Sequence, residues 1–159
     1  MQDLTVALVQ ADQVWENKIA NFKNYLRLTD DIEADLIILP EMFNTGFTMN
    51  TAGMSEPFDE SASIDWLKEF SSSKNSAVFT SLIIEYGGSF FNRGVFITPE
   101  GELTTYDKRK TFSLASEDEY FSSGNSEVIL DYKNWKINLQ ICYDLRFPVW
   151  ARNAEDYDV

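Results

Sequence analysis

The sequence predicts a layered α/β fold built on a mixed sheet, and three observations predict it. Apolar runs of strand length alternate with a helical repeat over residues 4–39. From residue 77 onward, apolar runs follow one another across short turns instead. The composition, 44% hydrophobic and 14% aromatic, is that of a chain that buries a core rather than of a disordered one. Strands linked through helices come together in parallel and strands linked by turns pair antiparallel, so a sheet that holds both serves both halves. At 159 residues the chain has about the length of one domain and can bury roughly 70% of its unfolded surface.

Each element has a local cause. Residues 4–10 form a short apolar run of strand length, and residues 15–28 carry Trp15, Ile19, Phe22 and Leu26 at helical spacing. Residues 34–39 read as a buried strand that Pro40 stops, because proline donates nothing to a ladder and restricts the residue before it. Residues 61–70 read as a helix, with a Ser/Asp-rich start and Ile64, Leu67 and Phe70 on one face. Residues 77–86 and 90–98 pair as a hairpin across Gly87-Gly88. Pro99-Glu100-Gly101 turns the chain into a strand at 103–107, and residues 127–132 and 135–141 make a third pair. No internal repeat, low-complexity stretch or interdomain linker interrupts this order.

Charge narrows the partners. Asp and Glu outnumber Lys and Arg by 26 to 13, giving a formal charge of −13, and no basic cluster exceeds Lys108-Arg109-Lys110. Nucleic acid and anionic membranes are therefore not expected partners. The start lacks a basic signal region, and no apolar run approaches the roughly 20 residues of a membrane span. A single cysteine forms no internal disulfide, which suits a reducing compartment, so a cytoplasmic protein is expected.

That cysteine carries the chemistry. Cys142 sits where the apolar run 135–141 breaks into Cys142-Tyr143-Asp144-Leu145-Arg146-Phe147-Pro148, in a chain without histidine. A thiol attacks a carbonyl as thiolate, and with a free pKa of about 8.5 it needs a base or a positive neighbour at neutral pH. Without imidazole, every histidine-based triad is excluded and the candidate bases are carboxylates and lysines. Glu41 in Leu39-Pro40-Glu41-Met42-Phe43 and Lys108 in Tyr106-Asp107-Lys108 each lie just past a predicted strand, as Cys142 does. Strand ends are where crevices form in open α/β sheets, so the three can converge on one pocket. Alone, each reads as something plainer: a small buried hydrophobe, a solvated carboxylate, a surface charge run.

In this order and spacing, the three segments closely resemble the nitrilase superfamily of carbon-nitrogen hydrolases, whose Glu-Lys-Cys set matches Glu41, Lys108 and Cys142. The longer strings Pro40-Glu41-Met42-Phe43-Asn44-Thr45-Gly46-Phe47, Asn92-Arg93 and Cys142 through Trp150 resemble its omega-amidase-type branch. The resemblance implies a four-layer α-β-β-α sandwich, one carbon-nitrogen hydrolase domain over residues 1–159 whose C-terminal part is expected to be missing. It also implies hydrolysis of an omega-amide of a short α-keto acid, such as 2-oxoglutaramate, through a thioester. Glu41 would be the base, Lys108 and the Tyr143 N–H the oxyanion donors. Glu117 matches a second glutamate of the family, with Glu119 as the alternative two residues on. By position, Arg146 is the expected carboxylate partner, Asp144 being its alternative mate, and Phe43, Tyr143 and Phe147 the expected acyl-pocket lining. No metal and no cofactor are expected, and a homodimer is implied for the complete domain. Other readings are an N-carbamoyl amino acid or other carboxamide as substrate, or a silent fragment.

Overall fold

The computed structural model, which describes residues 3–153 and 156–159, keeps the predicted order of the elements and adds short ones. In chain order the elements are β1 (Val6–Leu8), α1 (Lys18–Leu28), β2 (Leu36–Ile38), α2 (Thr51–Met54), β3 (Glu56–Pro57), α3 (Ala62–Lys74), β4 (Ala77–Tyr86), β5 (Ser89–Ile97), β6 (Leu103–Asp107), α4 (Glu117–Tyr120), β7 (Ile129–Tyr132), β8 (Trp135–Asn138) and α5 (Pro148–Ala151). Single turns of 3₁₀ helix lie at Phe58–Glu60, Ser113–Ala115 and Cys142–Arg146.

Alternation along the strands assigns the two faces of the main sheet. Ile37, Leu39, Val78, Leu82, Ile84, Val95 and Ile97 point to the side covered by α1 and α3, where they meet Tyr25, Ile64, Leu67 and Phe70. Leu36, Ala77 and Phe96 point to the opposite side and pack against Ile137, Leu139 and Ile141 of the second sheet and its extension. The main sheet runs β1-β2-β4-β5-β6, with β3 also paired to β4, and β7 pairs with β8 separately. The β1-β2-β4 pairs are parallel and the β4-β5-β6 pairs antiparallel, which is the mixed sheet expected from helical connections first and turns afterwards.

The first helix departs from the sequence reading in which face it buries. Trp15, Ile19 and Leu26 are exposed, whereas Asn21 and Tyr25 are fully buried. Asn21 turns inward because its carboxamide serves backbone: Nδ2 donates to the carbonyls of Val14 and Asn44, and Oδ1 accepts from the Val14 N–H. A polar residue is tolerated inside when its groups are paired, and this one ties the helix entrance to the buried loop that follows Glu41. The helix starts at Lys18 with Asn17 as N-cap, its side chain accepting from the Ala20 N–H.

Two glycine-dependent approaches set the second sheet and the β6 exit in place. A methyl group on Gly94 would lie 3.1 Å from the Phe79 ring and 3.3 Å from Ile141, so this position lets the segment before Cys142 sit close on the main sheet. At Gly124 an added Cβ would fall 2.1 Å from the Asp107 carbonyl oxygen, and the Gly124 N–H donates to the Lys108 carbonyl. Nearby, Arg93 grips Asp107 through two hydrogen bonds of 2.7 and 2.9 Å, and its guanidinium lies within 4.9–5.4 Å of the Phe58, Tyr86 and Phe91 ring centres. The residue before Lys108 is thereby fixed from both sides.

Candidate active site

Glu41, Lys108 and Cys142 leave three different strand ends and meet. After β2, Pro40 and Glu41 run alongside the middle of β4, where the Thr80 hydroxyl donates to the Pro40 carbonyl and the Ser81 hydroxyl accepts from the Met42 N–H. Met42 then takes a positive φ of 46°. Lys108 follows β6, its N–H donating to the Asn92 carbonyl. Cys142 opens a 3₁₀ turn with φ 46°. A left-handed backbone on a residue with a side chain is strained, and such strain is held only where surroundings over-determine it. Here Asp144, buried at 0% exposure, supplies that restraint. Its carboxylate accepts from the Ile141 N–H at 3.0 Å, the Lys110 N–H at 2.8 Å and the Tyr106 hydroxyl at 2.7 Å. One buried side chain therefore ties the nucleophile turn to the segment that follows Lys108.

Lys108 is 1% exposed and spends its ammonium on two carboxylates. Nζ donates to Glu41 Oε1 at 2.7 Å and to Glu117 at 3.1 Å (Oε1) and 2.8 Å (Oε2). Burial alone would push its pKa down, but the Glu41 charge and the hydrogen bonds that the ammonium donates to both glutamates outweigh it and hold the group above its ordinary value. The lysine is thus a fixed cation. Glu117 is fully buried, while Glu119 is exposed, so the glutamate beside the lysine is Glu117. The Phe112 N–H also donates to its Oε2.

The thiol is of the opposite kind. Burial by neighbouring atoms pushes the Cys142 pKa up, the Glu41 charge pushes it further, and Lys108 offsets only part of this. Glu41 and Cys142 line one cleft together, which places the carboxylate beside the thiol. At neutral pH the resting group is a protonated thiol next to a carboxylate, so attack needs proton transfer to that carboxylate.

The opening above Cys142 is lined by Phe112, Leu114, Tyr143 and Arg146, with a volume of about 520 Å³. Arg146 faces this opening, and Asp144 takes its partners elsewhere. Phe147 stands behind the lining, edge-on to Tyr143 with ring centres 5.2 Å apart. Phe43 does not line it. The structure places that ring at 0% exposure in the helix-side core, against Phe22, Tyr25 and Trp66, because the turn at Met42 resets the strand alternation. The aromatic ring near the reacting groups is Phe47, 5.4 Å from the Lys108 Nζ.

A further residue belongs to the cluster, one that the sequence offered only within the string Asn92-Arg93 and without a role. Asn92 on β5 is 1% exposed, and its Nδ2 donates to Glu41 Oε1 at 2.7 Å and Glu117 Oε1 at 2.9 Å. Only its register, one position before the Arg93–Asp107 pair and opposite the exit of β6, brings it there. Among the described residues no group of three or more His, Cys, Asp or Glu side chains is placed to hold a metal ion, and no helix is long and apolar enough to cross a membrane.

Comparison with known proteins gives the family of the chain. Over 160 aligned residues the chain is 38% identical to an omega-amidase, YafV, of Yersinia enterocolitica, covering the whole chain and 62% of that protein. It is 27% identical to a 2-oxoglutaramate amidase of Bacillus subtilis, with 93% of this chain and 59% of that one covered. The chain therefore spans about three-fifths of the length of these relatives. Among solved structures, XC1258 of Xanthomonas campestris, a CN-hydrolase superfamily protein with an arsenic adduct in its active site, superposes with a TM-score of 0.92 at 33% identity over 96% of this chain and 58% of that one. The nitrilase-type sandwich expected from the sequence is thus the fold of this chain. The carbon-nitrogen hydrolase family matches residues 5–157, and with the Glu41–Lys108–Cys142 cluster in place, the chain belongs to that family.

Proposed function

We propose that this chain carries the machinery for hydrolysing a small carboxamide, the omega-amide of an α-keto acid such as 2-oxoglutaramate, to the acid and ammonia. The observation that carries the reading is the convergence of a thiol, a carboxylate in the same cleft and a lysine ammonium bonded to that carboxylate at 2.7 Å. The omega-amidase and 2-oxoglutaramate amidase relatives support the substrate class.

Glu41 takes the Cys142 proton as sulfur bonds to the amide carbon and the carbonyl electron pair moves onto oxygen. The Lys108 ammonium and the N–H of Tyr143, an early donor of a helical turn without an acceptor inside that turn, hold the oxyanion. Collapse of the tetrahedral centre breaks the carbon–nitrogen bond, and Glu41 returns its proton to the departing ammonia. Glu41 then deprotonates water, which attacks the thioester, and the acid leaves with the thiol restored. Glu117 positions Lys108 and transfers no proton. Arg146, at the rim of the opening, pairs with the substrate carboxylate, a planar group that guanidinium binds bidentately. A free-thiol nucleophile suits the reducing cytoplasm, and a homodimer is the assembly proposed for the complete domain.

Ammonia release from 2-oxoglutaramate, 2-oxosuccinamate and an N-carbamoyl amino acid, measured for this chain and for Cys142→Ala, tests the reading. The keto acid amides should be hydrolysed, and the variant, folded to the same extent, should lose turnover. Activity near the original level in Cys142→Ala would sink the thioester scheme. Release from the N-carbamoyl compound alone would move the substrate class, and no release from any amide by the folded chain would reject the activity.

A further inference from the structure

We propose that Asn92 is a positioning residue that lets Lys108 give up one of its contacts with the two glutamates during the reaction. Its carboxamide bridges the same two carboxylate oxygens that the ammonium bridges, and keeps Glu41 and Glu117 in place while Lys108 turns to the oxyanion. The proposal rests on the assignment of Glu41 as base and Lys108 as oxyanion donor.

The hydrogen bonds form a closed ring. Lys108 Nζ reaches Glu41 Oε1 at 2.7 Å and Glu117 Oε1 at 3.1 Å, and Asn92 Nδ2 reaches the same two atoms at 2.7 and 2.9 Å. An ammonium has three protons, and Lys108 aims at three carboxylate oxygens at rest, the third being Glu117 Oε2 at 2.8 Å. A contact with the oxyanion therefore has to be taken from one of these. When it is, the buried Glu117 and the partly buried Glu41 carboxylates lose part of the cation between them and repel each other. Asn92 holds both with a neutral group that has no other acceptor to serve.

Two details set this carboxamide apart from a core filler. Its Oδ1 is buried with no hydrogen-bond partner, an unfavourable arrangement that a purely apolar residue would avoid. Flipping the amide would aim that oxygen at both carboxylates, so the orientation with Nδ2 toward them is fixed electrostatically. Asn92 also accepts the Lys108 N–H through its own carbonyl, so one residue sets both the lysine backbone and the groups its ammonium contacts. Because both donors converge on Glu41 Oε1, the other oxygen of that carboxylate is left for the thiol proton.

The test uses Asn92→Ala and Asn92→Asp in the full chain with three readouts. The first is the split between kcat and KM on the keto acid amide: kcat should fall by about 10²-fold, the scale of a misplaced reacting group, with KM within about threefold. The second is alkylation of Cys142 by iodoacetamide, unambiguous because it is the single cysteine, which should slow about tenfold when Glu41 is no longer held. The third needs no variant: in the isotope-labelled original chain, both carboxamide protons of Asn92 should exchange with solvent far more slowly than those of exposed asparagines. Asn92→Ala with kcat and alkylation within twofold of the original overturns the proposal. So does a loss of kcat that only tracks the loss of folded protein, or freely exchanging Asn92 protons should the variants not fold. If the original chain releases no ammonia, it is the amidase reading that has failed, and the alkylation and exchange measurements still decide the role of Asn92.

Discussion

Exchanging Lys108 for methionine is expected to destabilise the chain by about 3–5 kcal/mol and to abolish turnover at the same time, because removing one partner strands the charges it neutralised. Methionine fills much of the volume of the aliphatic stem, so packing changes little. What remains is Glu117 with no exposed surface and Glu41 with its side chain 18% exposed, both without a cation. Denaturant midpoints measure the first effect. A second exchange, Glu117→Gln on top of Lys108→Met, should recover a large part of the lost stability by removing one buried negative charge, yet recover none of the activity, since the oxyanion donor stays absent. Recovery of both would mean that the lysine acts only by neutralising Glu117.

The other large effect is expected at Asp144. Asp144→Ala leaves the Ile141 N–H, the Lys110 N–H and the Tyr106 hydroxyl without their acceptor, and a buried donor left unpaired costs about 1–3 kcal/mol. Tyr106 already reports the environment: burial first, and then its bond to Asp144, raise the phenol pKa far above the ordinary value. With the carboxylate gone, the positive φ of Cys142 loses its brace, and the nucleophile should relax away from Glu41. The melting temperature should drop, and kcat per folded molecule should drop by at least tenfold. A variant that loses stability but keeps its turnover would show that the turn at Cys142 is held by something other than Asp144.

Glu41, Lys108 and Cys142, the three residues proposed to react, are legible in the sequence because each sits just past an apolar strand, a position that a run of hydrophobic residues reveals by stopping. Glu117 was legible by resemblance and is separated from Glu119 only by burial. Asn92 and Asp144 were not, for a common reason. Their side-chain partners are 25 to 51 residues away, Glu41 and Glu117 for Asn92 and the Tyr106 hydroxyl for Asp144, and only the tertiary fold brings them together. Phe43 shows the reverse error. Adjacent to Glu41 and aromatic, it looked like pocket lining, but the backbone reversal at Met42 sends it to the helix side and leaves Phe47 near the lysine. The face of α1 was misread because hydrophobic spacing gives no sign that Asn21 would be drawn inward by three hydrogen bonds to backbone. Periodicity reports where apolar groups can go, whereas paired polar groups decide between faces of similar character.

Cys142 is expected to rest as a thiol and to give its proton to Glu41, instead of resting as a thiolate held by Lys108. Thiolate absorbance near 240 nm, taken as the difference between this chain and Cys142→Ala so that the tyrosines cancel, titrates the single sulfur directly. The account predicts no thiolate signal at neutral pH and a rise only above the ordinary thiol value of about 8.5. A midpoint below pH 7 would contradict it and would make Lys108, not Glu41, the group that activates the nucleophile.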